Sequence, residues 1–276
     1  MMQFFVAVLP ALVVASSNNP LLITTLFIVF GQGHFVITYL YQWRAKLITM
    51  QYIILYLLIG SAVLWFINEA SLAVVLLVTS VVFSIHYYFD EARILAGNNT
   101  NISFLLLAPS IAVFNSYLLY EKFKFDIFIP VLSLSILLLG IALYRFGTRA
   151  VLRKDVVCTQ LSTLLLTFIY IAKIPVASEI ILGVIIIHHY CTWYIYQYFK
   201  LRHDVSRLGT YVTDVLVINV VIISGFVLYT GGVGQDLLQY FYNPAYFYGW
   251  TILHIIFTAP TLLTVLKARF QNLVAQ

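Results

Sequence analysis

Charge is scarce in this sequence. Only 9% of its 276 residues are Asp, Glu, Lys or Arg, 62% are hydrophobic, and the mean hydropathy is +0.98. A soluble domain of this length has too little interior to hide so much apolar surface, which excludes a water-soluble globular fold. Cysteine is nearly missing too. Cys158 and Cys191 both fall in expected helices and provide neither a disulfide framework nor a CxxC site. No repeat of fixed period, low-complexity linker or separate polar domain is present. The pI near 9.1 and the net charge of +5 do not indicate nucleic acid, because the basic residues lie in short loops between apolar runs. In such loops they orient a membrane protein.

What the chain does have is apolar runs long enough to cross ~30 Å of hydrocarbon. They lie near 3–17, 20–42, 50–68, 70–90, 101–120, 126–146, 157–176, 179–199, 208–230 and 246–267. Asn18-Asn19-Pro20, Asn68-Glu69 and Gly231-Gly232-Val233-Gly234 supply turns between them. The first run lacks a basic leading segment, so a retained helix is expected rather than a cleaved signal. The fold class follows: all-α, a polytopic integral membrane bundle of about nine or ten helices, with residues 1–276 as one transmembrane domain.

Charge orients this bundle. With ten helices, Arg44, Lys46, Arg93, Arg145, Arg149, Arg153, Lys154, Lys200, Arg202, Arg207, Lys267 and Arg269 collect on one side. Only Lys122 and Lys124 fall on the other. The bias makes the first side cytoplasmic, with both termini there, and the expected location is the cell inner membrane. The sequons at Asn98 and Asn101 then face the cytoplasm and read as accidental.

Five of the six histidines fall inside or at the ends of these runs: His34, His86, His188, His189 and His254. Ionisable groups at membrane depth are costly and by default mark a site or a path. Neutral imidazole is the commonest metal ligand. The expected metal set is His34, His86, His188 and His189. The helices that carry them run the same way, and His34 lies on the order of 12 Å above its cytoplasmic end, at ~1.5 Å rise per residue. His254 sits deeper and reads as a packed interhelical donor. His203 reads as a solvated loop residue, and Lys173 as a snorkelling side chain.

Within Ser84-Ile-His86-Tyr-Tyr-Phe-Asp90-Glu91, His86 and Asp90 share a helix face and can act as two ligands or as ligand and orienting carboxylate. The alternative is that Asp90 and Glu91 simply end the helix in water. His188 and His189 point about 100° apart, so one faces the site and the other packs. Gly31-Gln32-Gly33-His34 has small residues that admit a close neighbour, whether helix or ligand. Asp90 and Asp214 are the candidate catalytic carboxylates. The aromatics beside the histidines, above all Tyr87, Tyr190 and Trp193, could line a slot for a long apolar substrate, or could be plain packing.

An early histidine (His34), a Ser-x-His-aromatic stretch followed by acids (Ser84, His86, Asp90, Glu91) and a late histidine pair (His188, His189) together resemble the Brp/Blh-type membrane β-carotene 15,15′-dioxygenases. The resemblance covers scattered positions. It implies a multi-helix bundle with iron held by histidines from separate helices, cleaving β-carotene to retinal. Phe35 stands where that family has a glycine after its early histidine, and the late histidines adjoin instead of lying four apart. No HxxxH or HxxHH box of the membrane desaturases occurs.

The expected function is a histidine-liganded membrane metalloenzyme. Its cofactor would be iron (Fe2+) or another divalent metal, and its substrate a carotenoid, isoprenoid or other membrane lipid. A proton- or ion-coupled transporter using the same His and Asp groups is the alternative, and an assembly subunit whose histidines only tie helices together is a third. The residues indicate no nucleic acid and name no protein partner.

Overall fold

The computed structural model of the chain describes residues 20–95, 100–151, 164, 167–174 and 178–258. The first apolar run (3–17), Cys158, Lys267 and Arg269 lie outside them. So do the side chains of Asp90, Glu91, Asn101, Arg149 and His188. Among the described residues every element is helical: α1 (Pro20–Arg44), α2 (Met50–Glu69), α3 (Leu72–Leu95), α4 (Thr100–Phe123), α5 (Phe128–Val151), α6 (Ser178–Leu201), α7 (Val205–Thr230), α8 (Gln235–Tyr242) and α9 (residues 244–258). A further helical turn covers 167–171.

The chain is an α-helical membrane bundle. Met50–Glu69, Phe128–Arg145 and Val205–Thr230 are each long and apolar enough to cross a bilayer. The 26 residues of α7 extend about 39 Å at ~1.5 Å per residue, more than the hydrocarbon thickness. Its outward side chains are apolar, as at Val221, 62% exposed. Water would penalise such a surface; lipid does not.

Helix ends follow local chemistry. Thr49 caps α2 by accepting from the Tyr52 N–H at 3.2 Å, and Asp204 caps α7 by accepting from the Arg207 N–H at 3.1 Å. Lys46 and Lys124 end α1 and α4 in the left-handed region, at φ 57° each. Lys173 ends the 167–171 turn in the same way, at φ 51°. At each of the three the two N–H groups past the helix return to its last carbonyls, as in a Schellman cap. Lys173 therefore closes a helix end. Gly147, at φ 73°, breaks α5 near its end.

The chain divides into two compact units, Met1–Val75 with Leu182–Gln276, and Leu76–Ile181. In the first, α1 is the central element. Gly31 meets Phe247 and Tyr190, whereas Gly33 meets Asn219. Further along α1, Tyr39 reaches His254, and Arg44 reaches Asp214. This order of contacts makes α1, α6 and α9 parallel, with α7 running against them. Asn68 with Tyr246 and Tyr56 with Phe257 set α2 antiparallel to α9. The shared direction of the helices bearing His34, His189 and His254 agrees with the sequence expectation.

The expected turn at Gly231–Gly234 is present, and after it a short helix outside the apolar runs, α8, occupies Gln235–Tyr242. A reading for bilayer-length runs passes over a two-turn amphipathic helix. Its last residue, Tyr242, lays its ring over Gly225 and donates to the Ile222 carbonyl at 2.8 Å. The buried Gln32 side chain donates to the Phe241 carbonyl at 2.7 Å, tying α8 to α1.

In the second unit, α4 packs along α5. Asn115 links α4 to α3: Ser80 donates to its carbonyl at 2.8 Å, and its amide donates to Ser84 at 3.0 Å. Ser84, which adjoins the His86 motif in sequence, is thus part of a helix clamp. Phe128 stacks on Tyr170 with ring centroids 4.0 Å apart, and the Tyr170 hydroxyl donates to Asp126 at 2.6 Å.

Candidate functional site

The first unit gathers three histidines from three helices. His34 on α1, His189 on α6 and His254 on α9 are each no more than 2% exposed. The His34 ring centroid lies 5.0 Å from that of His254 and 6.0 Å from that of His189, and both pairs meet edge to face. Helix direction explains the convergence. Three parallel helices carry their histidines at one level, and the small Gly31 and Gly33 let α6, α7 and α9 approach α1 closely.

Aromatic rings enclose the cluster. Tyr190 lies 4.9 Å from His34, Trp193 5.0 Å and Tyr194 6.3 Å, centroid to centroid. Phe35 stacks on His254 at 4.5 Å and on Phe247 at 5.7 Å. Tyr190 is buried and Trp193 half-buried, so the indole forms the outer edge of the group. The surroundings of the imidazoles are aromatic and apolar.

Of the residues expected at a metal site, His34 and His189 come together, with Tyr190 and Trp193 beside His34. His254 stands in ring contact with His34, where a separate depth was expected. That expectation measured depth from the end of each apolar run. Helices that pack at an angle can slide by a turn, about 5.4 Å, without any mark in the sequence. His86 lies half-buried on α3 in the second unit, where the neighbouring Tyr87 ring packs on Phe83 at 6.0 Å.

Asp214 sits on the face of α7 that meets the C-terminal end of α1. Arg44 grips it through both guanidinium nitrogens, one of them at 3.0 Å, and Tyr41 donates to it at 3.2 Å. The hydrogen-bonded carboxylate holds the Arg44 pKa above its ordinary value. Asp214 is thus held at the helix end by a cation and a phenol. Tyr194 is one of the aromatics expected at the histidine level, whereas Asn219 was not expected at the site; its signal in the sequence is a lone amide within the apolar run Val215–Val221.

A divalent metal can be tested against the donors present. With metal–nitrogen bonds of ~2.0–2.1 Å, two imidazoles on one tetrahedral ion have centroids roughly 5 Å apart. His34 and His254 already have that spacing, and His189 is about 1 Å wider. No three His, Cys, Asp or Glu side chains among the described residues stand at ligand distances as they lie. Imidazole nitrogens suit zinc, iron, copper or nickel rather than magnesium or calcium.

These features define an α-helical membrane protein with a buried cluster of three histidines. No family model, curated protein or solved structure matches the chain.

Proposed function

We propose that the chain is an integral-membrane metalloenzyme in which His34, His189 and His254 hold one divalent metal, with iron the favoured ion. The observation that carries this reading is the meeting of three buried imidazoles from three helices around His34. Isolated histidines would each need only one neighbour to satisfy them; three at one point are the donor set of a metal centre. Iron held there would supply the one-electron chemistry that dioxygen requires.

The chain's own residues would do the rest. Tyr190 and Phe35 hold the imidazole planes by ring contact and keep water from them. Trp193, half-buried at the edge, presents an apolar surface to the bilayer. A lipid-soluble substrate, a carotenoid or another isoprenoid, would enter from that side without crossing water. In this proposal the protein sits in the cell inner membrane with both termini cytoplasmic, a reading supported by the bias of basic residues in its loops.

A second reading draws on the same enclosure. Histidines this deeply buried also suit a proton- or ion-coupled carrier. Metal analysis of protein purified in detergent separates the two. Stoichiometric iron, lost on His34→Ala, supports the enzyme; protein free of any transition metal removes it. Expression in cells that make β-carotene then tests the substrate. Loss of colour with retinal formed supports the carotenoid version, and retained colour with iron-loaded protein rejects it.

A further inference from the structure

The seam where α1, α6 and α7 meet contains more polar atoms than its partners satisfy. Tyr211, 5% exposed, buries its hydroxyl with no hydrogen-bond partner. The Tyr194 hydroxyl and the Asn219 side-chain carbonyl are also buried and lack one. Asn219 uses its amide on the Val215 carbonyl at 2.7 Å, leaving the carbonyl directed at the Gly33 backbone. Asn219 stands at the edge of hydrogen-bond reach of the Tyr194 hydroxyl, and Tyr211 interacts with Tyr194 only electrostatically. Polar groups that face one another beyond hydrogen-bond reach are where a bridging water belongs.

The groups lie in order. Tyr41, bound to Asp214, has its ring 6.1 Å from that of Tyr211. Tyr211 interacts with Tyr194, whose ring lies 6.3 Å from His34. Asn219 stands opposite Gly33, the residue before His34. Three orphan polar atoms along one seam of a membrane bundle are costly unless something satisfies them, because lipid offers no hydrogen bonds. Gly33 admits the Asn219 side chain: a Cβ there would lie 2.5 Å from its carbonyl oxygen.

We propose that the α1–α6–α7 seam binds a short file of ordered water, held by the Tyr211 and Tyr194 hydroxyls and the Asn219 carbonyl, that links the Arg44–Asp214 pair to the face of His34. Each bound water accepts from a tyrosine or donates to the amide carbonyl, so every orphan atom gains a partner. The file gives the histidine cluster one aqueous approach, from the Arg44 end, distinct from the apolar edge at Trp193. It stands whether or not a metal is bound.

X-ray radiolytic footprinting of the intact protein in detergent reads this directly, since water next to a side chain yields the hydroxyl radical that labels it. Tyr242 is the internal comparison: it is equally buried, at 5%, but its hydroxyl already bonds the Ile222 carbonyl. Tyr211 should label several-fold faster than Tyr242. Labelling of Tyr211 as slow as that of Tyr242 would overturn the proposal. Tyr211→Phe supplies an independent sign. If its hydroxyl binds water, the variant melts at a lower temperature than the parent; if the seam is dry, removing an unsatisfied hydroxyl raises the melting temperature, and the file does not exist.

Discussion

His34 and His254 face each other edge to face, their ring centroids 5.0 Å apart, across two parallel helices taken from opposite ends of the described chain. This pairing, not the sequence neighbourhood of either residue, sets where the site lies. It yields the first prediction. Protein purified without chelator should contain about one transition-metal ion per chain, because ligands gathered by folding bind as a unit. His34→Ala and His254→Ala should each lose most of it, and His203→Ala, in the exposed loop before α7, should keep it. Elemental analysis of the three variants decides. Metal loss in His86→Ala as well would add that residue to the set.

Close packing at Gly31 gives the second. A Cβ there would come within 2.5 Å of the Phe247 ring and 2.8 Å of the Tyr190 hydroxyl. Gly31→Ala should therefore destabilise the bundle by about 1–3 kcal/mol, as overpacking does. At Gly60 the nearest atom would be 4.0 Å away, on Leu253. Gly60→Ala should be neutral or stabilising by up to about 1 kcal/mol, the helix-propensity gain. Denaturation in mixed micelles compares them, and equal effects at the two positions would contradict the packing described.

The third concerns the second unit. Asn115 bonds Ser80 and Ser84 at once. Asn115→Ala should cost about 0.6–1.7 kcal/mol, from the mean to the maximum for hydrogen bonds between membrane helices. A double-mutant cycle with Ser84→Ala should show coupling. Strict additivity would mean that the clamp contributes nothing.

Orientation gives the fourth. Single cysteines replacing Arg202 and Lys124, in a background lacking Cys158 and Cys191, should react with an impermeant thiol reagent from opposite sides of the membrane. Arg202→Cys should label only from the cytoplasm. Labelling of that position in intact cells would falsify the proposed topology.

Much of the helical layout was legible in the residues. The run read at 50–68 is the helix Met50–Glu69, and the run read at 208–230 is Val205–Thr230. Apolar length and turn residues determine such boundaries, because hydrocarbon admits few alternatives to a satisfied helix. The site was less legible. Sequence marks which residues are polar but not how far one helix slides on another, so His254 was placed apart from His34. The role of Ser84 was likewise hidden: only the arrival of Asn115 from another helix makes it a hydrogen-bond acceptor. Arg44 and Asp214 are each visible as charges, yet nothing local to either announces the other.

Tyr242 and Gly225 interlock, the phenol lying where any side chain at 225 would have to go. Neither position is free to vary alone. A descendant of this sequence that acquired alanine at 225 would have to shrink residue 242 in step, and one that lost the tyrosine would leave a hollow that a larger residue at 225 could fill. The two positions should therefore covary as a pair once divergent copies of the chain are aligned, and that correlation would identify kin whose remaining residues have drifted beyond recognition.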